Sequence, residues 1–251
     1  LSRELNSFYF PASEKRFANI LDGPYSAVRI FVLCIGLTFA GPLTAQHVVQ
    51  NVKSLTQVES LDSTEQTPHR WWVTDQPVDP VAITRQVLES KNENPGSAWK
   101  AIPVPSNVRD YYPHMTRKQM SVTYLKAVVL PDEPAAATAL MMGIINDRDR
   151  VYVNGTFIGA TGIWDSPVAT AYDKRRIYQI PAGVIRPGEL NVIVAQVQGL
   201  SVDLWGMDQY RTAIGPAMAI LSSEINESFR ALLFLTCYTT VGLYFFFMWA
   251  R

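Results

Sequence analysis

The chain has 251 residues, room for one or two domains with a sizeable core. Its 22 basic and 22 acidic residues cancel, so it has neither the basic surplus of a nucleic-acid binder nor the acidic run of a solvating tail. Hydrophobic residues make up 48% of it, a high share for a globular chain, and the surplus concentrates near residues 30–45 and 229–250. Both cysteines, Cys34 and Cys237, fall in those two segments. The stretch between them must therefore stand on its own core, without disulfides.

The first apolar segment reads as a signal peptide. Arg29 precedes a short apolar run, Gly41-Pro42 breaks any helix, and Leu43-Thr44-Ala45 ends in a small residue before Gln46. The run is too short to cross a bilayer, which takes about 20 apolar residues. The first methionine is Met115. Val28 read as a non-standard start gives a compact signal from Val28 to Ala45, with cleavage before Gln46, and makes 1–27 an upstream extension. Residues 46–70 are polar and aperiodic and are assigned as a linker.

From Trp71 to about residue 222 the pattern is one of short apolar runs cut by Pro, Gly, Asn and Asp. Val78–Ser90 is predicted as a short helix capping an edge. Ser121–Leu130 alternates and stops at Pro131. Ala137–Ile145 is a continuous buried-type run ended by Asn146-Asp147-Arg148-Asp149, read as a polar turn. Arg150-Val-Tyr-Val and Thr156-Phe-Ile-Gly flank Asn154-Gly155, the pair that a type I′ hairpin turn favours. Arg175–Ile180 and Leu190–Val197 follow, with Ala217–Leu221 as a last strand. Short strands without a long amphipathic helix predict an all-β sandwich.

Ala231–Ala250 carries no charge and reaches about 30 Å as a helix, enough to cross the hydrocarbon core. Arg230 and Arg251 bracket it, and Trp249 suits an interface. The expected order is thus 1–45 extension and signal peptide, 46–70 linker, 71–222 sandwich, and 223–251 juxtamembrane segment and span. The sandwich is expected outside, with Arg251 on the cytoplasmic side and the chain the front part of a longer protein.

Four stretches come in a characteristic order: Trp99-Lys-Ala-Ile-Pro-Val-Pro, Tyr124-Leu-Lys-Ala-Val-Val-Leu-Pro, Arg150–Gly159 and Gly188–Val197. They resemble the galactose-binding-like jelly roll at the front of family 2 glycoside hydrolases, the β-galactosidase and β-glucuronidase group. Followed by a strand and a span, the domain is similar to bacterial seven-transmembrane receptors with diverse intracellular signalling modules. That resemblance covers roughly residues 95–251. It implies an extracytoplasmic, periplasmic ligand-sensing domain at the inner membrane, with any catalytic output beyond Arg251. Two departures stand out. Lys126 replaces the arginine usual in the hydrolases, and the glycine-rich stretch before the last strand shrinks to Trp205-Gly206-Met207.

No catalytic constellation is legible. His47, His69 and His114 are scattered and no cysteine joins them, so no metal ligand set or cofactor is expected. A glycosidase needs two carboxylates flanking the scissile bond; Asp165, Asp173, Asp203 and Asp208 could pair in space, but the resemblance implies that the hydrolase acids lie on a separate barrel domain. Binding is the better expectation. Trp164, Tyr172, Trp205 and Asp208 fall between strands and combine stacking faces with a hydroxyl acceptor, which suits a saccharide or another small molecule. Trp71, Trp72 and Trp99 are expected in the core. The partners expected are that ligand, the lipid bilayer and a second copy of the chain, with no nucleic acid. A membrane-anchored carbohydrate-binding module and the front domain of a glycoside hydrolase are the alternatives.

Overall fold

The computed structural model describes residues 49–63, 69–115, 121–132, 137–168, 171–199, 206–209 and 211–250. The predicted extension and signal peptide, 1–45, lie outside them.

Two sheets pack face to face. Their strands are β1 (Gln50–Asn51), β2 (Glu59–Ser60), β3 (Trp71–Thr74), β4 (Lys100–Ile102), β5 (Ser121–Val129), β6 (Thr138–Asn146), β7 (Arg148–Val153), β8 (Thr156–Thr161), β9 (Arg175–Ile180), β10 (Leu190–Gln198), β11 (Gly206–Gln209) and β12 (Ala213–Pro216). One sheet has the order β4-β3-β5-β10-β7-β8, with β1 pairing in parallel beside β5. In the other, β6 is central, flanked by β9 on one side and by β11 and β12 on the other, with β2 outside β12. All pairings except β1 with β5 are antiparallel among the described strands.

Strand alternation builds the core. On β5, Val122, Tyr124 and Val128 point between the sheets, and so do Ile193, Ala195 and Val197 of β10. Their neighbours Leu125, Ala127, Val192 and Val194 point outward, where helix α1 (Pro80–Ser90) covers them with Ile83 and Val87. These two residues are one turn apart and share a helix face. The helix starts where Asp79 accepts a bond from the Val81 amide at 3.0 Å, with Pro80 at the first position, and ends at Lys91 in a left-handed conformation. Trp71, Trp72 and Trp99 are buried as expected. The Asn154-Gly155 turn has φ of 50° and 79°, the double positive φ of a type I′ hairpin.

Three elements differ from the sequence reading. Residues 49–63, expected as linker, supply β1 and β2, one to each sheet, and bury Leu55 and Leu61 completely. Ala217–Leu221 is not a strand. β12 ends at Pro216, and helix α2 (Ala217–Trp249) starts at the next residue. The predicted polar turn 146–149 is buried, and Arg148 already belongs to β7.

At 33 residues α2 is about 50 Å long. Its first turn lies on the outer face of the five-stranded sheet, with Ile220 fully buried among Ala139, Met141 and Ala213. Its apolar part is long enough to cross a membrane, and none of it is buried.

Candidate ligand-binding end of the sandwich

Of the expected ligand residues, Trp164 and Tyr172 lie in the connection from β8 to β9, at an end of the sandwich held by buried charge. The sheets face each other there through Asp149 of β7 and Arg176 of β9, joined at 2.9 Å with both side chains fully buried. Tyr178 donates to the second Asp149 oxygen, and its hydroxyl lies 2.6 Å from Thr161. Burial pushes the Asp149 carboxyl above its ordinary pKa, against the bonds from Tyr178 and Arg176, and it also raises the Tyr178 phenol. The result is a polar plug between two apolar faces.

The same residues suspend the loop 162–174. Arg148 donates to the Ile163 carbonyl at 2.6 Å and to the Val168 carbonyl at 3.3 Å. Asp147 accepts the Ala171 amide at 2.9 Å. Arg176 donates to the carbonyls of Ala171 (3.0 Å), Asp147 (2.7 Å) and Lys174. Asp165 and Gln198 exchange two bonds of 2.9 Å, from the Asp165 amide and to its carboxylate. Residues 163–168 and 171–174 are therefore held in position by these bonds.

Trp164 is half-buried, with the Arg150 guanidinium 4.4 Å from its ring centre, a cation–π contact on one face. Tyr172 is 54% exposed. Each aromatic is followed by an aspartate at φ 60°, Asp165 and Asp173. An acid tolerates that left-handed bend better than most side chains. Asp208 lies in β11 rather than in a loop, and Trp205 lies outside the described residues.

Backbones of three segments converge on Asn146-Asp147-Arg148. Gly206 of β11 pairs with Asn146, Ala171 binds Asp147, and Ile163 binds Arg148. Trp164, Tyr172 and the start of β11 thus share one end of the fold. Gly206 is required there: a Cβ would fall 2.2 Å from the Tyr124 hydroxyl, which accepts the Met207 amide at 3.1 Å.

Sequence reasoning missed Asp147, Arg148, Asp149 and Arg176. The available signal was their placement, charges written directly against the apolar runs of β6, β7 and β9. Asp147 and Asp149 are buried and hydrogen-bonded within the fold. Among the described residues no group of three or more His, Cys, Asp or Glu could hold a metal ion. What this end offers is an exposed tyrosine ring and a half-exposed indole, each beside an aspartate.

No family model and no curated protein matches the chain. Solved structures similar to it are β-glucuronidases from Ruminococcus gnavus. One, in complex with N1-substituted uronic isofagomine, is 19% identical over 68% of this chain and 32% of its own, at a TM-score of 0.44. Another, titled as the β-glucuronidase alone, is 20% identical over 69% of this chain and 30% of its own, at 0.42. This chain spans about a third of the length of these enzymes.

Proposed function

We propose that this chain is the extracytoplasmic ligand-sensing part of a bacterial inner-membrane signalling receptor. In this reading its sandwich is periplasmic, its ligand is a carbohydrate held at the 162–174 end, and α2 is the membrane span. One observation carries the reading. α2 runs without a break from a turn sealed against the five-stranded sheet at Ile220 to an apolar stretch with no buried residue. A module that needs only tethering works on a flexible linker. A sensor needs sandwich and span in fixed relation, because its ligand acts only by binding two receptor states unequally. Here β12 passes straight into α2 at Pro216, which favours sensing over a merely anchored carbohydrate-binding module. The chain itself performs no catalysis in this reading. A second copy would pair along Met218, Leu221, Ile225 and Phe229, an exposed apolar stripe spaced three, four and four on α2.

The test of the ligand is a glycan array read with the parent, Trp164→Ala, Tyr172→Ala and Trp72→Ala. Loss of one stacking face costs about 1–3 kcal/mol, roughly 5- to 150-fold in affinity. The two loop variants should lose binding by that much and melt near the parent. Trp72→Ala should instead lose about 3–5 kcal/mol of stability. Loop variants that bind like the parent, or a parent that binds no glycan, would remove the carbohydrate from the proposal.

A further inference from the structure

β9 opens with two arginines, and the strand period sends them to opposite faces. Arg176 points inward and holds the carbonyls of Ala171 and Lys174, the end of the ligand loop. Arg175 points outward to α2, where it pairs with Glu224 and, at 3.2 Å, with Glu227. Arg211, just before β12, reaches Glu227 at 3.7 Å. Ile220, Glu224 and Glu227 are three and four residues apart, so they share the helix face turned to the sheet.

The helix touches the sheet at its base, through Ile220 and through the Ala217 amide, which bonds the Ala137 carbonyl at 2.9 Å. Farther along, a cavity of about 260 Å³ opens between them, lined by Met141 and Gly143 of the sheet and by Arg175, Arg211, Glu224 and Glu227. Charges therefore hold the helix where apolar packing has ended. They are partly wet, with 30% of Arg175 and 15% of Glu224 exposed. A pair in that setting is strong enough to set an angle and weak enough to be re-formed, unlike the sealed Asp149–Arg176 pair.

We propose that Arg175, Arg211, Glu224 and Glu227 form a latch that fixes the angle at which α2 leaves the sandwich, with Arg175 as the positioning residue that links it to the ligand loop. A shift of residues 171–174 moves the Arg175-Arg176 pair, and through Arg175 it moves α2. Only the event that drives the latch rests on the sensing role proposed above. The latch itself needs no ligand.

The test uses the full chain in lipid nanodiscs, with Cys34 and Cys237 replaced by serine and spin labels at the exposed positions Lys53→Cys and Ser228→Cys. The parent should give one narrow label-to-label distance distribution, which 0.5 M salt broadens because partly exposed pairs are screened, the Debye length falling to a few ångströms. Arg175→Gln should lose the narrow peak. Glu224→Gln with Glu227→Gln should do the same while leaving the sandwich sequence untouched, so it decides the matter if Arg175→Gln disturbs β9. Reversing all the charges, Arg175→Glu and Arg211→Glu with Glu224→Arg and Glu227→Arg, should restore the peak. Narrow distributions in both neutral variants would overturn the latch. A latch that behaves as expected in a chain that binds no glycan supports this proposal and counts against the sensing role alone.

Discussion

Lys126 shows how far one residue can depart from its setting. It occupies an inward position of β5, 1% exposed, with its ammonium 5.9 Å from the Trp71 ring centre and donating to the His69 carbonyl at 3.2 Å. Burial pulls its pKa down to about 8, against the attraction of Glu93 and Asp62. The unfolded lysine keeps its proton to about 10.4. From pH 8 to 10 the unfolded chain thus holds a proton that the folded chain has released, and stability rises with pH. The full shift corresponds to about 3 kcal/mol. Above pH 10 the sign reverses, because burial raises Tyr112 to about 12 and raises Tyr178 as well. Urea unfolding at pH 7, 8, 9 and 9.5 should show a rise in the parent that Lys126→Met abolishes. Identical pH profiles would mean that Lys126 titrates as an ordinary lysine. Lys126 was legible as a charge inside the alternating run of β5, but its burial depended on the β5 register. Trp164 is a similar case. Its place in a loop was legible, whereas its contact with Arg150 needs β7 and the 162–174 loop folded together.

Long alternating or apolar runs were readable as elements because their periodicity is local. Strands β5, β9 and β10 lie within a residue or so of their expected bounds, and α1 starts two residues late. Two-residue strands carry no such signal. β1 and β2 exist because β5 and β12 offer them edges, and that is tertiary information. The run Ala217–Leu221 misled for a related reason: it begins a helix whose identity is fixed by the apolar residues two turns later. Leu55 and Leu61, hidden in a polar stretch, give the element-scale prediction. A chain starting at Trp71 should fail to give a cooperative melt, while one starting at Gln46 should melt sharply. Leu55→Ala in the longer chain should cost about 2–5 kcal/mol, the usual range for a fully buried leucine. A sharp melt from the Trp71 start at the same temperature would show that residues 49–63 are dispensable.

For the whole molecule, the sandwich and the long apolar helix were both legible, because burial between sheets and passage through a bilayer leave strong patterns. The joint between them was not. Whether β12 reaches α2 through a linker or directly is decided by Pro216, Ala217 and Ile220, which read locally as one more strand. The proposed sensing role requires that joint to lie at a membrane surface with the sandwich outside. The most direct measurement is protease added to spheroplasts that carry the chain with a tag after Arg251. The sandwich should be removed while the tag, shielded on the cytoplasmic side, survives with α2. A sandwich that resists external protease until the membrane is dissolved would contradict the topology and the sensing role together.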